Sequence, residues 1–373
     1  MPKANDLFEA VRPDADLHPS FRNMRDSPIW TPARAVLRDL FNDFFDPDGN
    51  FVEQFQTTGF DARTFEIYLF ALFKEAGFSL DRSKPRPDFI LEKEGVQIAV
   101  EAVTANRPAS TGINSYVLQP KERTPDELRT YLKNEVPIRL GSPLFSKLQK
   151  KYWELEHVRG RPFVLAIEAF HDEGSLAISS TPLAEYLYGL NHHWYHDSAG
   201  ELIITTSQND AHRLGAKEIP SGFFKQPDTE YISAVLFSNS GTAPKFNRMG
   251  QEGAQRSDAV RMIRYGTCYR HDPNSEKPAG FVYEVGNGEM NEKWDEGTVL
   301  IHNPFARHPV RSGFMRVAAE QTLQGGVDMT TFFDEGFFPY SSLTQQYPGH
   351  TPTALLQNVA DEIAAKLLEL FPE

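Results

Sequence analysis

Residues 87–103 read Pro-Asp-Phe-Ile-Leu-Glu-Lys-Glu-Gly-Val-Gln-Ile-Ala-Val-Glu-Ala-Val. Val96, Ile98 and Val100 alternate with Gln97, Ala99 and Glu101, the period of two that marks a strand. Phe89-Ile90-Leu91 reads as its partner, and Glu92 to Gly95 as the turn between them. Gly95 suits a tight hairpin because glycine enters left-handed backbone without steric cost. In an antiparallel hairpin the start of one strand lies beside the end of the next. Asp88 and Glu101 are therefore expected side by side.

Upstream, in residues 61–80, Phe65, Leu69, Leu72 and Phe73 recur at helical spacing, and Gly77 stands where a helix C-cap belongs. Glu66 is expected on the first turn of that helix, and residues 78–83 supply a short strand. Downstream, residues 105–125 are rich in Asn, Pro, Ser and Thr and read as loop, followed by a short helix near 126–135. The spacing of Leu144, Leu148, Tyr152 and Leu155 predicts a helix over 142–157, with Ser142 as N-cap and Pro143 next. Residues 161–170, Arg-Pro-Phe-Val-Leu-Ala-Ile-Glu-Ala-Phe, form an apolar run of buried-strand length. The order is helix, three strands, helix, strand. A strand reached through a long helix implies a parallel crossover, so the expected fold is α/β with a mixed sheet.

Metal-assisted phosphodiester cleavage needs carboxylates converging on one divalent cation, with coordination positions left for water and phosphate. Asp88 and Glu101 on the hairpin, with Glu66 aimed from the helix, answer that need. Each residue also has a plainer reading: a turn residue, a strand-end acid reaching solvent, and a helix acid favoured by the macrodipole. Pro87-Asp88, twelve intervening residues and Glu101-Ala102-Val103 together resemble the PD-(D/E)XK nuclease superfamily of restriction and repair enzymes. The acid-bearing helix Phe65-Glu66-Ile67-Tyr68-Leu69 and the αβββαβ order over residues 62–170 are similar as well.

The resemblance implies a restriction-endonuclease-like core and hydrolysis of DNA with Mg²⁺ or Mn²⁺ held by Glu66, Asp88 and Glu101. The superfamily's lysine would fall at position 103, where this chain has Val103. Some members carry the basic residue on a neighbouring helix. Lys147, Lys150 and Lys151 are the candidates here, with Lys147 and Lys151 on one helical face. The alternative is that catalysis is lost and the fold serves nucleic-acid binding or assembly.

The chain has 373 residues and a net charge of −13. An acidic total argues against indiscriminate phosphate binding, yet residues 121–161 hold ten basic and six acidic residues, a local positive excess. Arg82, Lys84 and Arg86 add charge beside Asp88. Lys84, Arg86, Lys150, Lys245 and Arg248 are the expected nucleic-acid contacts, the last two from the stretch Ser238–Gly250. DNA is the expected partner, and a homodimer is compatible with the sequence. The three histidines of residues 191–197, Asn-His-His-Trp-Tyr-His-Asp, lack the glutamate of a helical zinc motif and read as an exposed polar loop. A hydrolase of another class, with its chemistry in residues 230–310, is a third reading.

One cysteine, Cys268, excludes an intramolecular disulfide and fits a reducing, cytoplasmic setting. No stretch approaches the roughly 18–20 apolar residues that span a bilayer, and the opening residues lack a signal peptide's apolar stretch. Residues 1–60 read as an N-terminal helical extension, 61–250 as the α/β core with an insertion at about 171–228, and 251–373 as a C-terminal elaboration. The last of these ends in an amphipathic helix.

Overall fold

The computed structural model describes residues 6–107, 123–172, 174–288, 290–333 and 336–372. Four helices come first: α1 (Pro19–Asp26), α2 (Thr31–Asn42), α3 (Phe51–Gln56) and α4 (Phe60–Glu75). Three strands follow, β1 (Ser79–Asp81), β2 (Phe89–Lys93) and β3 (Val96–Asn106), then α5 (Pro125–Thr130), a π turn and α6 (Val136–Leu148). Next come β4 (Phe163–Phe170), α7 (Thr181–Tyr188), β5 (Leu190–His196), β6 (Leu202–Gln208), β7 (Ala211–Leu214) and β8 (Lys217–Pro220). The remainder comprises β9 (Ala234–Ser238), α8 (Ala243–Glu252), β10 (Val260–Cys268), β11 (Ala279–Glu284), β12 (Thr298–His302), β13 (Ala319–Gln324), β14 (Asp328–Phe333), β15 (Pro339–Pro348) and α9 (Thr353–Leu370).

A mixed eight-stranded sheet runs in the order β1-β2-β3-β4-β9-β12-β13-β14. β1, β2 and β3 form an antiparallel meander; β3, β4 and β9 are mutually parallel. Among the described residues, the helix-strand-strand-strand-helix-strand order read from the sequence recurs as α4, β1, β2, β3, the α5–α6 helical stretch and β4. Residues 298–333, within the segment read as an elaboration, extend this same sheet by three strands.

Alternation divides the sheet between two cores. Val100, Val164, Ala166 and Leu236 face α4 and the phenylalanine-rich N-terminal helices. Ala99, Val103, Leu165 and Ile167 face Leu140, Leu144 and Leu148 of α6 and Leu183 and Leu187 of α7. Helices therefore cover both faces, as a parallel sheet centre requires. β10, β11 and β15 make a separate antiparallel sheet, against which α9 lies.

The β2–β3 turn has Glu94 and Gly95 both at positive φ, 54° and 75°, as a two-residue hairpin turn of matching twist demands. Two boundaries differ from expectation. α6 starts at Val136, so Ser142 lies inside it and bonds back to the Ile138 carbonyl instead of capping. It also stops at Leu148, because Lys151 takes a left-handed conformation before a short turn at Tyr152–Glu154. The histidine segment is no loop: it forms β5, paired with β6. Most of residues 105–125 lie outside the described residues. Among the described residues no helix is long and apolar enough to cross a membrane.

Candidate functional site

The hairpin register pairs Phe89 with Val100, which sets Asp88 across from Glu101. The two residues bond reciprocally. The Asp88 amide donates to Glu101 Oε2 at 3.2 Å, and Asp88 Oδ2 accepts from the Ala102 amide at 2.8 Å. Glu101 does not end its strand, since β3 continues to Asn106. It lies mid-strand, 4% exposed, on the face covered by α6.

From that helix comes Lys147, whose Nζ lies 2.5 Å from Glu101 Oε1. Leu144 and Leu148, on the same helix, pack into the sheet and bring Lys147 to the rim, where its side chain is 31% exposed. Position 103 faces the same core, and Val103 is 2% exposed among apolar neighbours. The basic group thus reaches the carboxylates from α6 and not from β3.

Lys151 is not part of this group. The end of α6 at Leu148 turns it away, and it pairs with Asp228 at 2.8 Å. This corrects the expectation that Lys147 and Lys151 share one helical face.

Glu66 lies in the second turn of α4, not the first, because α4 begins at Phe60. It is buried, and both carboxylate oxygens are taken: Oε1 accepts from Arg82 at 2.5 Å, and Oε2 accepts from Arg63. Arg82 and Arg63 are what sequence reasoning missed. Arg63 is three residues before Glu66 on a helix, a spacing that signals an ion pair. Nothing local signals that Arg82, in the basic loop, turns inward.

Charge at the site is unevenly shared. Burial, then the Glu101 carboxylate and then Glu66 hold the Asp88 carboxyl well above its usual range. Burial opposes the charge on Lys147, but the Glu101 and Asp88 carboxylates outweigh it and raise the ammonium's pKa. Burial followed by Glu101 likewise pushes the Tyr152 phenol up. Two facing carboxyls of which one resists ionising are a donor set that a divalent cation relieves, so Asp88 and Glu101 fit Mg²⁺ or Mn²⁺ as a two-carboxylate site. Glu66 does not fit as a third ligand while two guanidinium groups hold it. Among the described residues no group of three or more His, Cys, Asp or Glu side chains is placed to hold one ion.

Of the expected nucleic-acid contacts, Lys84, Arg86 and Lys150 are exposed. A ring nitrogen of His157 lies 2.6 Å from the Arg86 carbonyl, tying the segment after α6 to the loop before Asp88. Lys245 and Arg248 contradict the expectation. α8 packs against α2 in the interior, and both cations close on the buried Glu292 at 2.7 Å, out of reach of any phosphate. His192 and His196 are four residues apart on a strand, not a helix. His192 meets Glu185, and His196 meets the Asn274 carbonyl. Cys268 is half-buried, and burial pushes its thiol pKa up.

No protein-family model, curated protein or solved structure matches this chain.

Proposed function

We propose that the chain is a metal-dependent nuclease cleaving DNA, with Asp88 and Glu101 holding the divalent cation and Lys147 standing in for the lysine absent at position 103. The observation that carries this reading is the convergence of Lys147 Nζ on Glu101 Oε1 at 2.5 Å, beside an Asp88 carboxyl that resists ionising.

When bound, Mg²⁺ or Mn²⁺ supplies a Lewis acid that lowers the pKa of water and offsets charge on phosphate. The side chains do the rest. Asp88 and Glu101 are oriented before any ligand arrives, through the amides of Ala102 and Asp88. Lys147 is kept protonated chiefly by the Glu101 carboxylate, which outweighs its burial. It therefore acts as a donor that holds a water or phosphate oxygen, not as the base that takes a proton. Lys84, Arg86 and Lys150 are exposed, and none forms an ion pair among the described residues, which leaves them free for a polyanion near the site.

The test is cleavage of plasmid DNA with Mg²⁺ or Mn²⁺. Asp88→Ala and Glu101→Ala are each expected to lower the rate about a hundredfold or more. Lys147→Met is expected to lower it about ten- to a hundredfold. Activity without metal, or activity indifferent to all three changes, rejects the reading.

A second reading, binding without cleavage, is favoured by the occupation of Glu66 by Arg63 and Arg82. Salt-sensitive DNA binding, with no cleavage and no response to Glu101→Ala, would select it.

A further inference from the structure

We infer that Arg82 is the positioning residue of this site and that Glu66 serves Arg82, not the cation. The inference rests on the cation site proposed above for Asp88 and Glu101.

Arg82 follows β1 directly, in a loop whose next four residues are exposed, yet it is buried. Its guanidinium carbon lies 3.8 Å from the Phe44 ring centroid and 4.7 Å from that of Phe89. Three of its nitrogens donate in three directions: Nε to the Phe45 carbonyl at 2.9 Å, Nη1 to the Asp88 carbonyl at 3.3 Å and Nη2 to Glu66 Oε1 at 2.5 Å. A planar fork packed against two rings and bonded through three nitrogens is held in place, so its partners adjust to it. One of those partners is the main chain of Asp88. Arg82 therefore sets where the Asp88 carboxylate starts from, and the Ala102 amide sets where it ends.

Glu66 then has a definite task. A guanidinium this deep needs a counter-charge, and the carboxylate supplies it. Arg63 occupies the other oxygen, so the pair is closed on both sides. To reach a cation, either Glu66 oxygen would have to leave a guanidinium, the buried one of Arg82 or the partly exposed one of Arg63. Its charge still reaches the site, since Glu66 is among the groups that discourage ionisation of Asp88.

Two measurements decide the matter, and the first needs no metal. The Ala102 amide reports the Asp88 side chain directly. In Arg82→Lys, hydrogen exchange at Ala102 is expected to quicken about tenfold, while the buried Ala166 amide on β4 keeps its rate. Unchanged exchange at Ala102, or equal acceleration at both amides, overturns the positioning role. Should Arg82→Lys not fold, Arg82→Met with Glu66→Gln removes both buried charges together, and the same pattern is expected.

The second is calorimetry with Mn²⁺ alone. Glu66→Gln is expected to keep its affinity within about fivefold, Arg82→Lys to weaken it about tenfold, and Asp88→Ala to abolish binding. Loss of binding in Glu66→Gln equal to that in Asp88→Ala makes Glu66 a ligand and overturns the inference. If the unaltered protein binds no Mn²⁺, the cation site itself falls, and exchange at Ala102 alone decides whether Arg82 positions Asp88.

Discussion

At position 103 the surroundings explain why the basic group that meets Glu101 comes from α6 and not from β3. Val103 belongs to the apolar core that holds Leu144, Leu148 and Ile167, where an ammonium would lose its water and gain nothing. Lys147, next to Leu148 and three residues after Leu144, sits at the rim, where its stem packs and its head meets Glu101. Glu168, on the opposite face of the sheet, is a different kind of buried acid. It is 0% exposed, Oε2 accepts from the Gly241 amide at 3.0 Å, and Oε1 has no partner among the described residues. Gly241 must lack a side chain, because a Cβ there would sit 2.2 Å from Glu168 Oε2.

Burial raises the Glu168 pKa well above 4.5, with the Gly241 amide pulling the other way. The sign follows from linkage. The folded state holds this proton more tightly than the unfolded state, so the stabilisation is complete below 4.5 and is lost as pH climbs through the raised value. Within that window the loss is at most about 1.4 kcal/mol per pH unit. Glu168→Gln carries no such proton, so its melting temperature should rise relative to that of wild type as pH climbs from 4.5. Parallel calorimetric melting curves for the two proteins across a pH series would refute this.

At the scale of elements, the β2–β3 hairpin is the piece on which the site is built. Its turn confines Glu94 and Gly95 to left-handed backbone. A side chain at Gly95 would meet open space, so the whole cost of Gly95→Ala is conformational, about 1 kcal/mol. Glu94→Asn relieves the same strain at its neighbour and is expected to add about 0.5 kcal/mol, since asparagine tolerates this conformation. The exposed Arg311–Glu94 contact that it forfeits, at 3.4 Å, is worth little. Urea denaturation of both variants checks the opposite signs.

The same hairpin was legible in advance, because alternation and a glycine turn are local signals. α6 was legible only in part. Leucines at helical spacing located its packing face, but Ser142-Pro143 imitated a helix start inside a continuing helix. The actual stop, a left-handed Lys151, has no glycine to announce it.

Across the whole molecule, a buried charge cluster ties the C-terminal half together. Glu292 receives Lys245 and Arg248 from α8, and Arg264 from β10 approaches it at 3.4 Å. Arg264 also reaches Glu296 and the Tyr283 hydroxyl. Burial alone would raise the Glu292 pKa; Arg248, Arg264 and Lys245 outweigh it and hold the carboxyl far below its usual range. Its stabilisation is therefore present above 4.5 and lost as pH falls toward the depressed value. Glu292→Gln leaves three buried cations facing a neutral amide. The expected cost is about 3–5 kcal/mol by denaturant titration, with much of the native acid sensitivity removed. A loss below 1 kcal/mol, on the order of a surface pair, would mean that the cations repack toward other partners.

The sequence by itself determined the local geometry: the hairpin, the helix before it, the strand after it, and hence Asp88 beside Glu101. Such features follow from period, turn chemistry and register within some tens of residues, where the chain's own connectivity limits the choices. Tertiary structure alone decided which lysine meets Glu101, that two arginines enclose Glu66, that Lys245 and Arg248 are interior, and that residues 298–333 continue the central sheet. Burial and charge pairing depend on segments far apart in the chain, and no local period records which distant residue will remove a side chain from water.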